Sequence, residues 1–537
     1  MMGCMFRSLN WLFRSILVFT WVPLAMAGDP EVIKASKHDL SPPLSQMAVG
    51  GSLNSSSADA QNPTARSTGP ALSNPNSDPV SAQLAGPLNG VTLLSSFDGQ
   101  SAQDNRNVFG FAFVPPDTNG AVGEKQYVQM VNVTIAVYDK SNGTLQLGPA
   151  PIHSLWSGFG GLCEFGGGIP TYSDGGDPVV LYDQLAGRWL VSQLQYDPTF
   201  THSAQCIAIS TGTDATGSYS RYEYDFGANF PDYPKFGVWP DAYYNTVNIF
   251  PPKGFAGAQA CAFDRKAMLT GAPANAICFQ QSPSVASLLP ADLDGGTLPP
   301  AGAPNYLVGL ADSTHLNFFR FHADFANPAN STFTGPTLVS VAPYNEICAR
   351  AVDLACIPQP SPGERVDGLA DRVMFRLAYR NFGDHESLLV NHTIKGGSLA
   401  GVRWYEIRNP AAPFVYQQST VVDPDVNYWL GSIAMDKNGN IALGFSASSL
   451  HLFPSVYVAG RSASDPAGMM FGPLVIQTGS GVQIHSYKRW GDYSAMAVDP
   501  TDDCTFWYTN EYYASSGSFN WATRIGAFKF DACKKGH

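Results

Sequence analysis

Gly176-Asp177-Pro178-Val179-Val180-Leu181-Tyr182-Asp183, followed after a short turn by Arg188-Trp189-Leu190-Val191, is the stretch that sets the fold. A turn residue leads into an apolar run, an acidic turn follows, and a second run carries Trp and Val. Runs of this kind, bounded by Gly, Pro, Asn and Asp, read as strands. The same order recurs in Gly491-Asp492-Tyr493-Ser494-Ala495-Met496-Ala497-Val498-Asp499 with Thr505-Phe506-Trp507-Tyr508. It recurs again in Trp429-Leu430-Gly431-Ser432-Ile433-Ala434-Met435-Asp436 with Gly439-Asn440-Ile441-Ala442-Leu443-Gly444, and in Asn119-Gly120-Ala121-Val122-Gly123 with Tyr127-Val128-Gln129-Met130-Val131. Weaker copies begin near Trp239-Pro240-Asp241, near Tyr306-Leu307-Val308-Gly309 and near Val366-Asp367. The starts fall near 117, 177, 239, 306, 367, 429 and 492, an even spacing that marks a repeat architecture.

One sheet cannot bury both of its faces alone, and stacking neighbours completes the core. The expected fold is therefore all-β: a β-propeller of seven four-stranded blades around a channel. A six-bladed ring and tandem β-sandwiches are the alternatives. The period exceeds the about 40–50 residues of common propeller repeats, so the excess is assigned to loops on one face. The segment Arg524-Ile525-Gly526-Ala527-Phe528-Lys529-Phe530 is expected to close the ring. Helical periodicity is confined to a short helix expected near Ser284–Leu289.

The propeller reading covers residues 88–537. Residues 28–87 are rich in Ser, Ala, Pro, Asn and Gly and contain no aromatic residue. Such a segment cannot bury enough surface to offset its ordering entropy, and it reads as a disordered linker. Residues 1–27 read as a signal peptide: Arg7 and Arg14, an apolar run from Ile16 to Val22, and Ala25-Met26-Ala27 as the cleavage site. The apolar run is shorter than the about 20 residues of a membrane-spanning helix, and no later segment is long and apolar enough to span. The chain is thus expected to be secreted, extracellular or periplasmic, after cleavage near Ala27.

Of the nine cysteines, Cys4 leaves with the signal and eight remain. They fall in sequence as neighbours: Cys163 with Cys206, Cys261 with Cys278, Cys348 with Cys356, and Cys504 with Cys533. Nearest-neighbour bridges are expected, each closing a loop inside one repeat, in an oxidising compartment. Zinc is the rival, but no C-x-x-C or H-x-x-x-H spacing occurs.

The formal net charge is −12, and removal of Arg7 and Arg14 makes it more negative. An anionic surface of low charge density argues against nucleic acid as a partner. There is also no G-x-S-x-G elbow, no H-E-x-x-H, no phosphate loop and no dinucleotide fingerprint.

The phrases Pro115-Pro116-Asp117-Thr118-Asn119-Gly120-Ala121-Val122-Gly123, Tyr379-Arg380-Asn381-Phe382-Gly383 and Trp490-Gly491-Asp492-Tyr493-Ser494 resemble a group of uncharacterised secreted bacterial β-propeller proteins. The likeness covers about residues 95 to 533 and implies export and a propeller rather than a reaction. More loosely, the repeats resemble sialidase-type propellers with Asp-box turns. Asp183 stands four residues before Gly187 and six before Trp189, and Asp436 and Gly439 are followed by Ile441 where an aromatic belongs. That resemblance is architectural and transfers no catalytic residue.

In a propeller the inner strands converge on the axis, and the residues at their entrances line the mouth of the channel. Asp117, Asp177, Asp241, Asp367 and Asp492 stand at comparable points of five repeats and are the candidate catalytic residues. Carboxylates brought close together cannot all ionise cheaply, so one pKa should rise. A general acid with a second carboxylate as base or nucleophile, a calcium site, or turn-forming aspartates that bond their own backbone are the three readings. Lys235, Arg365, Arg380 and Arg489 lie near the same entrances and could fork onto an acidic sugar or pair with repeat aspartates. Trp239, Trp429 and Trp490 could stack on sugar rings or fill the space between blades. His385, in the polar cluster Arg380–Glu386 that His392 follows, is a candidate base or a hairpin-loop residue. No cofactor is evident beyond calcium.

Two functions stay open. One is a binding propeller that takes an extracellular glycan or protein surface at its axial pocket. The other is an extracellular glycosidase or polysaccharide lyase using the axial carboxylates.

Overall fold

A computed structural model describes residues 28–47, 60–61, 78–165, 174–348, 355–361 and 363–533. The expected signal peptide of residues 1–27 lies outside the described residues, as does Cys4.

The strands group into antiparallel meanders, because each apolar run is returned on itself by a tight turn. Among the described residues this happens seven times. The first unit is Asn119–Val122, Gln126–Val131, Thr134–Asp139 and Leu145–Pro151; the second is Val179–Asp183, Arg188–Tyr196, Ser203–Ser210 and Tyr219–Gly227. The third is Phe230–Val238, Ala242–Phe250, Gly257–Asp264 and Asn275–Gln280; the fourth is Leu289–Leu293, Asn305–Asp312, His315–His322 and Thr332–Ser340. The fifth is Met374–Asn381, Glu386–Gly396, Leu399–Arg408 and Phe414–Val422; the sixth is Asn427–Met435, Ile441–Ser448, Ser455–Arg461 and Phe471–Gln477. The seventh has Ala495–Val498, Thr505–Tyr513 and Trp521–Phe530, with Val91–Ser101 as its fourth strand.

The first strand of each unit touches the first strand of the next, and that of the seventh touches that of the first. The meanders therefore close into a ring with their first strands innermost, and the fold is an all-β propeller. The inner strands approach closely: a Cβ added at Gly237 would stand 2.4 Å from the carbonyl oxygen of Ala291. Between the fourth and fifth units they even pair in parallel, Ala291 opposite Leu377 and Leu293 opposite Tyr379.

The core lies between the sheets. Val180, Trp189 and Val191 of the second unit pack with Val128, Met130 and Val137 of the first. Leu443 and Phe445 of the sixth join Trp404 of the fifth, and Phe506 and Phe528 of the seventh join Val456 and Val458 of the sixth. Closure is made by Trp507, Ile525 and Ala527 of the seventh unit against Val122, Tyr127 and Tyr138 of the first.

The ring closes differently from expectation. Trp521–Phe530, which contains Arg524–Phe530, is the third strand of the last sheet, and Val91–Ser101 pairs along it from Phe530↔Val91 to Ala522↔Ser101. The outer strand of the last sheet thus comes from the N-terminal side of the ring, joining the two ends of the propeller by main-chain hydrogen bonds.

Three repeat starts also shift. Trp239-Pro240-Asp241 is the turn after the third inner strand, Tyr306 lies in a second strand, and Val366-Asp367 belongs to a separate two-stranded ribbon of Ala355–Pro358 and Arg365–Asp367. Strands of one meander share the same apolar alternation, so phase is lost where no Asp turn marks the inner strand. Ser284–Leu289 is not a helix: it is turn and extended chain, and the Ser287 N–H donates to Asn248 Oδ1 at 2.8 Å before the strand opens at Leu289.

The linker reading of 28–87 is corrected for its described parts. Glu31–Lys34 pairs with Asn275–Gln280 on the outer edge of the third unit, and Lys37–Leu40 with Tyr219–Gly227 on that of the second. Ser81–Gln83 runs parallel to Phe414–Val422 on the fifth. These short strands are largely exposed and gain order from backbone bonds to open sheet edges, which composition does not report. Two buried arginines hold the segment: Arg221 forks onto Asp39 at 2.6 and 2.8 Å, and Arg403 reaches Asp78 at 2.5 Å.

All four expected bridges form: Cys163–Cys206, Cys261–Cys278, Cys348–Cys356 and Cys504–Cys533. Cys261 and Cys278 face each other on paired strands, and Cys504–Cys533 ties the hairpin that carries the closing strand. Cys163 instead lies in the connection from the first unit to the second. Such bridges persist in oxidising compartments. No helix among the described residues is long and apolar enough to cross a membrane.

A chain beginning at Gly90 keeps the closing strand and is expected to unfold cooperatively; one beginning at Ala102 is not. Circular-dichroism melts of the two compare them directly, and an equal, sharp transition in the shorter chain would refute the closure. Cys504→Ser with Cys533→Ser is expected to cost about 3 kcal/mol in denaturant unfolding, from the loop entropy returned to the unfolded chain.

Candidate functional site

Six of the seven inner strands are entered through a residue in the left-handed backbone region. These are Asp117 (φ 47°), Asp177 (48°), Tyr233 (57°), Ser287 (49°), Leu430 (50°) and Asp492 (48°). Regular pairing resumes just after each, at Asn119, Val179, Lys235, Leu289, Ser432 and Ala495. Asp and Asn tolerate this conformation better than other side chains, which accounts for Asp at three of the six positions. The shared turn brings Asp117, Asp177 and Asp492 to equivalent points around the axis.

There they meet groups from the third, fifth and seventh units. Asp117, Asp177, Asp232, Lys235, Arg372, Arg489, Asp492 and Glu511 are all buried. Arg489 and Asp492 form a two-point ion pair, Nε to Oδ1 at 3.1 Å and Nη2 to Oδ2. Arg372 pairs with Asp371 at 2.8 Å and lies 4.5 Å from the centre of the Tyr233 ring. Lys235 Nζ stands 3.7 Å from the Tyr233 ring and 3.8 Å from the Tyr493 ring, and donates to Pro234 O at 2.9 Å. Asp177 accepts the Tyr233 N–H at 3.2 Å, and Glu511 accepts the Gly491 N–H at 2.7 Å.

Asp117 and Asp232 differ from the others. Both are fully buried: no group among the described residues bonds the Asp232 oxygens, and the side-chain partner of Asp117 is the Asp177 carboxyl. A bare carboxylate without partners is costly to bury, so such a group holds its proton. Burial pushes Asp117 well up, and the charges of Asp492 and Asp177 push it further against Arg489 and Lys235. Asp232 is raised by burial and by Asp177, against Arg372 and Arg489. Burial raises Asp177 too, opposed first by Lys235. Burial also raises Glu511. Lys235 is pushed down to about 8 by burial, with Asp177 and Asp117 holding it up. The arrangement places neutral carboxyl groups beside ion-paired ones, which is what separates an acid from a base in one site.

The expected residues divide accordingly. Asp117, Asp177, Asp492, Arg489 and Lys235 come together. Asp367 joins from the ribbon: it is buried, its N–H donates to Lys488 O at 2.9 Å, its carboxylate accepts the Leu369 N–H at 2.9 Å, and its charge acts on Arg489. Asp241 does not join. It sits at the far end of the third inner strand, exposed, accepting from Tyr244 Oη at 3.0 Å. Arg380 is also elsewhere, forked onto Asp503 at 2.6 and 2.8 Å. Arg365 is exposed and donates to Cys356 O at 2.7 Å.

Trp239, Trp429 and Trp490 are buried and offer no face to a sugar; Trp239 packs on Tyr379 at 4.7 Å, and Trp490 stacks on Tyr513 at 5.7 Å. His385 lies in the hairpin loop of the fifth unit, bonded to Asp384 at 2.7 Å. His392 is a core residue, within 2.9 Å of Tyr405 Oη, with its pKa pushed well down by burial.

Asp232, Arg372, Tyr233, Tyr493 and Glu511 were not expected at the axis. A signal for the first existed: Tyr233-Pro234 occupies the place of Asp177-Pro178, and phasing the third repeat on it brings out Asp232 and Lys235. Nothing in the sequence near Arg372 or Glu511 marks them. Among the described residues no three His, Cys, Asp or Glu side chains are grouped to hold a metal ion.

No protein-family model and no curated protein matches the chain. Among solved structures it is similar to an α-L-arabinanase of Penicillium chrysogenum, with a TM-score of 0.35 and 9% identity over 69% of this chain and 98% of that one. It is also similar to an α-L-arabinofuranosidase of Fusarium graminearum, with a TM-score of 0.31 and 8% identity over 84% and 98%. A third is an exo-β-1,3-galactanase of Phanerochaete chrysosporium, with a TM-score of 0.28 and 10% identity over 81% and 99%. These likenesses carry nothing about the chemistry of the axis.

With Asp117 held protonated, the folded chain binds more protons than the unfolded one above the ordinary carboxylate range, so stability falls as pH rises through it. Asp117→Asn removes that loss. Its melting temperature is expected to decline less than the parent's between about pH 4 and about pH 7. Parallel profiles would show that Asp117 is ionised in the fold.

Proposed function

We propose that the axial carboxyl cluster is the reaction centre of an exported, glycan-directed hydrolase carried on a seven-bladed propeller. The observation that carries this is Asp117, a buried carboxyl of raised pKa whose side-chain partner is the carboxyl of Asp177, next to the ion-paired Asp492. Cleavage of a glycosidic bond asks for a carboxylic acid to protonate the leaving oxygen and a second carboxylate as base or nucleophile. It asks for neither an activated serine nor a cysteine, and none of those signatures occurs in the sequence. In this reading Asp117 is the acid, and Asp177, raised less strongly and facing Lys235, is the base or nucleophile. Asp232 is the second protonated carboxyl of the site. Arg489 and Arg372 hold the local charge low enough for both states to coexist.

A binding role without turnover is the second reading, and it has its own observation. The three tryptophans that could have formed a sugar platform are buried, so no aromatic face for a sugar accompanies the buried polar cluster at the axis. Calcium belongs with that reading, with axial carboxylates as its ligands.

Two measurements separate these readings. On a panel of polysaccharides and chromogenic glycosides, Asp117→Asn and Asp177→Asn are each expected to lower kcat by about 10²–10⁴-fold. Saturable binding with no product from the parent chain would favour the binding role, and neither binding nor product would sink both. Under the hydrolase reading, a melting temperature taken with and without chelator is expected to be unchanged; a clear fall would put a cation at the axis.

A further inference from the structure

The first turn of each unit, and the third turn of the first six, lie on the face opposite the axial aspartates, because the inner strands run away from the face where those aspartates stand. On that face the fifth and sixth units enclose a cavity of about 240 Å³. Its walls are the hairpin loop with Phe382 and His385, the strand ends with Glu406, Arg408, Tyr416 and Gln417, and the sixth unit's Asn438, Arg461 and Asp465.

The charges in this cavity are unevenly satisfied. Glu406 is fully engaged: it accepts from Ser387 Oγ at 2.7 Å, from Arg408 Nε at 2.5 Å and from Gln417 Nε2 at 2.5 Å. Arg408 lies flat on the Tyr416 ring, 3.4 Å from its centre, so its position is fixed by stacking as well as by charge. Arg461 is the exception. It is only 4% exposed, its Nε is buried without a hydrogen-bond partner, and its Nη2 is spent on the carbonyl oxygen of Asp465 at 2.5 Å. The Asp465 carboxylate turns instead to the Ser462 N–H at 2.6 Å. No carboxylate among the described residues forms an ion pair with Arg461. Burial pushes its guanidinium pKa down, with Asp465 and Glu406 only partly offsetting it. A guanidinium kept in a cavity without its counter-charge has the geometry of a receptor for one, since its planar fork matches an oxyanion at two points.

We propose that the cavity between the fifth and sixth units is a second binding site, which takes an oxyanion group of a small ligand through Arg461, with Arg408 beside it. At about 240 Å³ the space lies below the about 300–1,000 Å³ of pockets for drug-sized ligands, so it suits one small unit and not a chain. The oxyanion can be the carboxylate of an acidic sugar or a free inorganic anion. His385 stands at the rim, 28% exposed. The site shares no residue with the axial cluster, and its occupancy does not depend on the chemistry proposed there.

Isothermal titration of the full chain with glucuronate, glucose and inorganic sulfate tests this. Saturable binding of glucuronate, weakened about ten- to a hundredfold in Arg461→Gln, is the expected result. Arg461→Gln removes a buried side chain, so Ala463→Glu provides a second variant: it sets a negative charge on an exposed rim residue and is expected to weaken binding without changing the melt. Asp117→Asn is expected to leave it unchanged, which separates this site from the axis. Sulfate binding as tightly as glucuronate would support the site and make a free anion its ligand. Glucose binding as tightly as glucuronate, retention of glucuronate binding in both cavity variants, or no saturable binding of either anion would overturn the proposal.

Discussion

Among the described residues the inner strands of the seven four-stranded sheets are buried on both faces, and that single constraint organises the rest. A sheet of four short strands has no interior of its own, so Trp189, Trp404, Phe445 and Phe506 are buried only when the neighbouring sheet lies on them. The stack must therefore either end in a protected face or return to its beginning. Here it returns, and Tyr127 and Tyr138 of the first unit are covered by Trp507 and Ile525 of the last. The return is secured by backbone pairing between Val91–Ser101 and Trp521–Phe530, which come from opposite ends of the ring. The N-terminal segment reaches that position after adding strands to the outer edges of three other units, and those edges are where a propeller otherwise exposes unpaired backbone.

Closure has an electrostatic consequence at the centre. The inner strands start from one face in a common left-handed turn, so side chains at equivalent places converge. Where those side chains are aspartates, the ring gathers like charge into a dry volume. Lys235, Arg372 and Arg489 neutralise part of it, and burial with the remaining like charge pushes the pKa of Asp117 and Asp232 well up. Lys235 between two tyrosine rings is stabilised by their faces as well as by carboxylates, yet burial still lowers its affinity for its proton. On the opposite face Arg461 is buried with no ion pair among the described residues, and the charges of Asp465 and Glu406 offset it only in part.

The all-β class, the recurring unit and the four cysteine pairs were legible in the chain, because alternation and spacing are local properties. The convergence of Asp117, Asp177 and Asp492 was legible too, since a repeated turn residue occupies the same place in each unit. Asp241 was misplaced for the converse reason: Trp239-Pro240-Asp241 looks like a unit start, but it is the other end of an inner strand, and apolar periodicity does not tell the two ends apart. The tryptophans read equally as platforms or as filling, and the structure assigns them to filling. Residues 31–40 and 81–83 read as linker because their order comes from edges built by strands far away in sequence.

The sequence by itself determined a repeated antiparallel unit and its turn chemistry, since each is settled within a few tens of residues, and it offered the cysteine pairing that the structure confirms. Only the tertiary structure decided which strand closes the ring, which end of each strand faces the axial cluster, and which charges remain unpaired. Those depend on contacts between units, and a buried carboxyl such as Asp117 or a lone guanidinium such as Arg461 is defined by what surrounds it rather than by its neighbours in the chain.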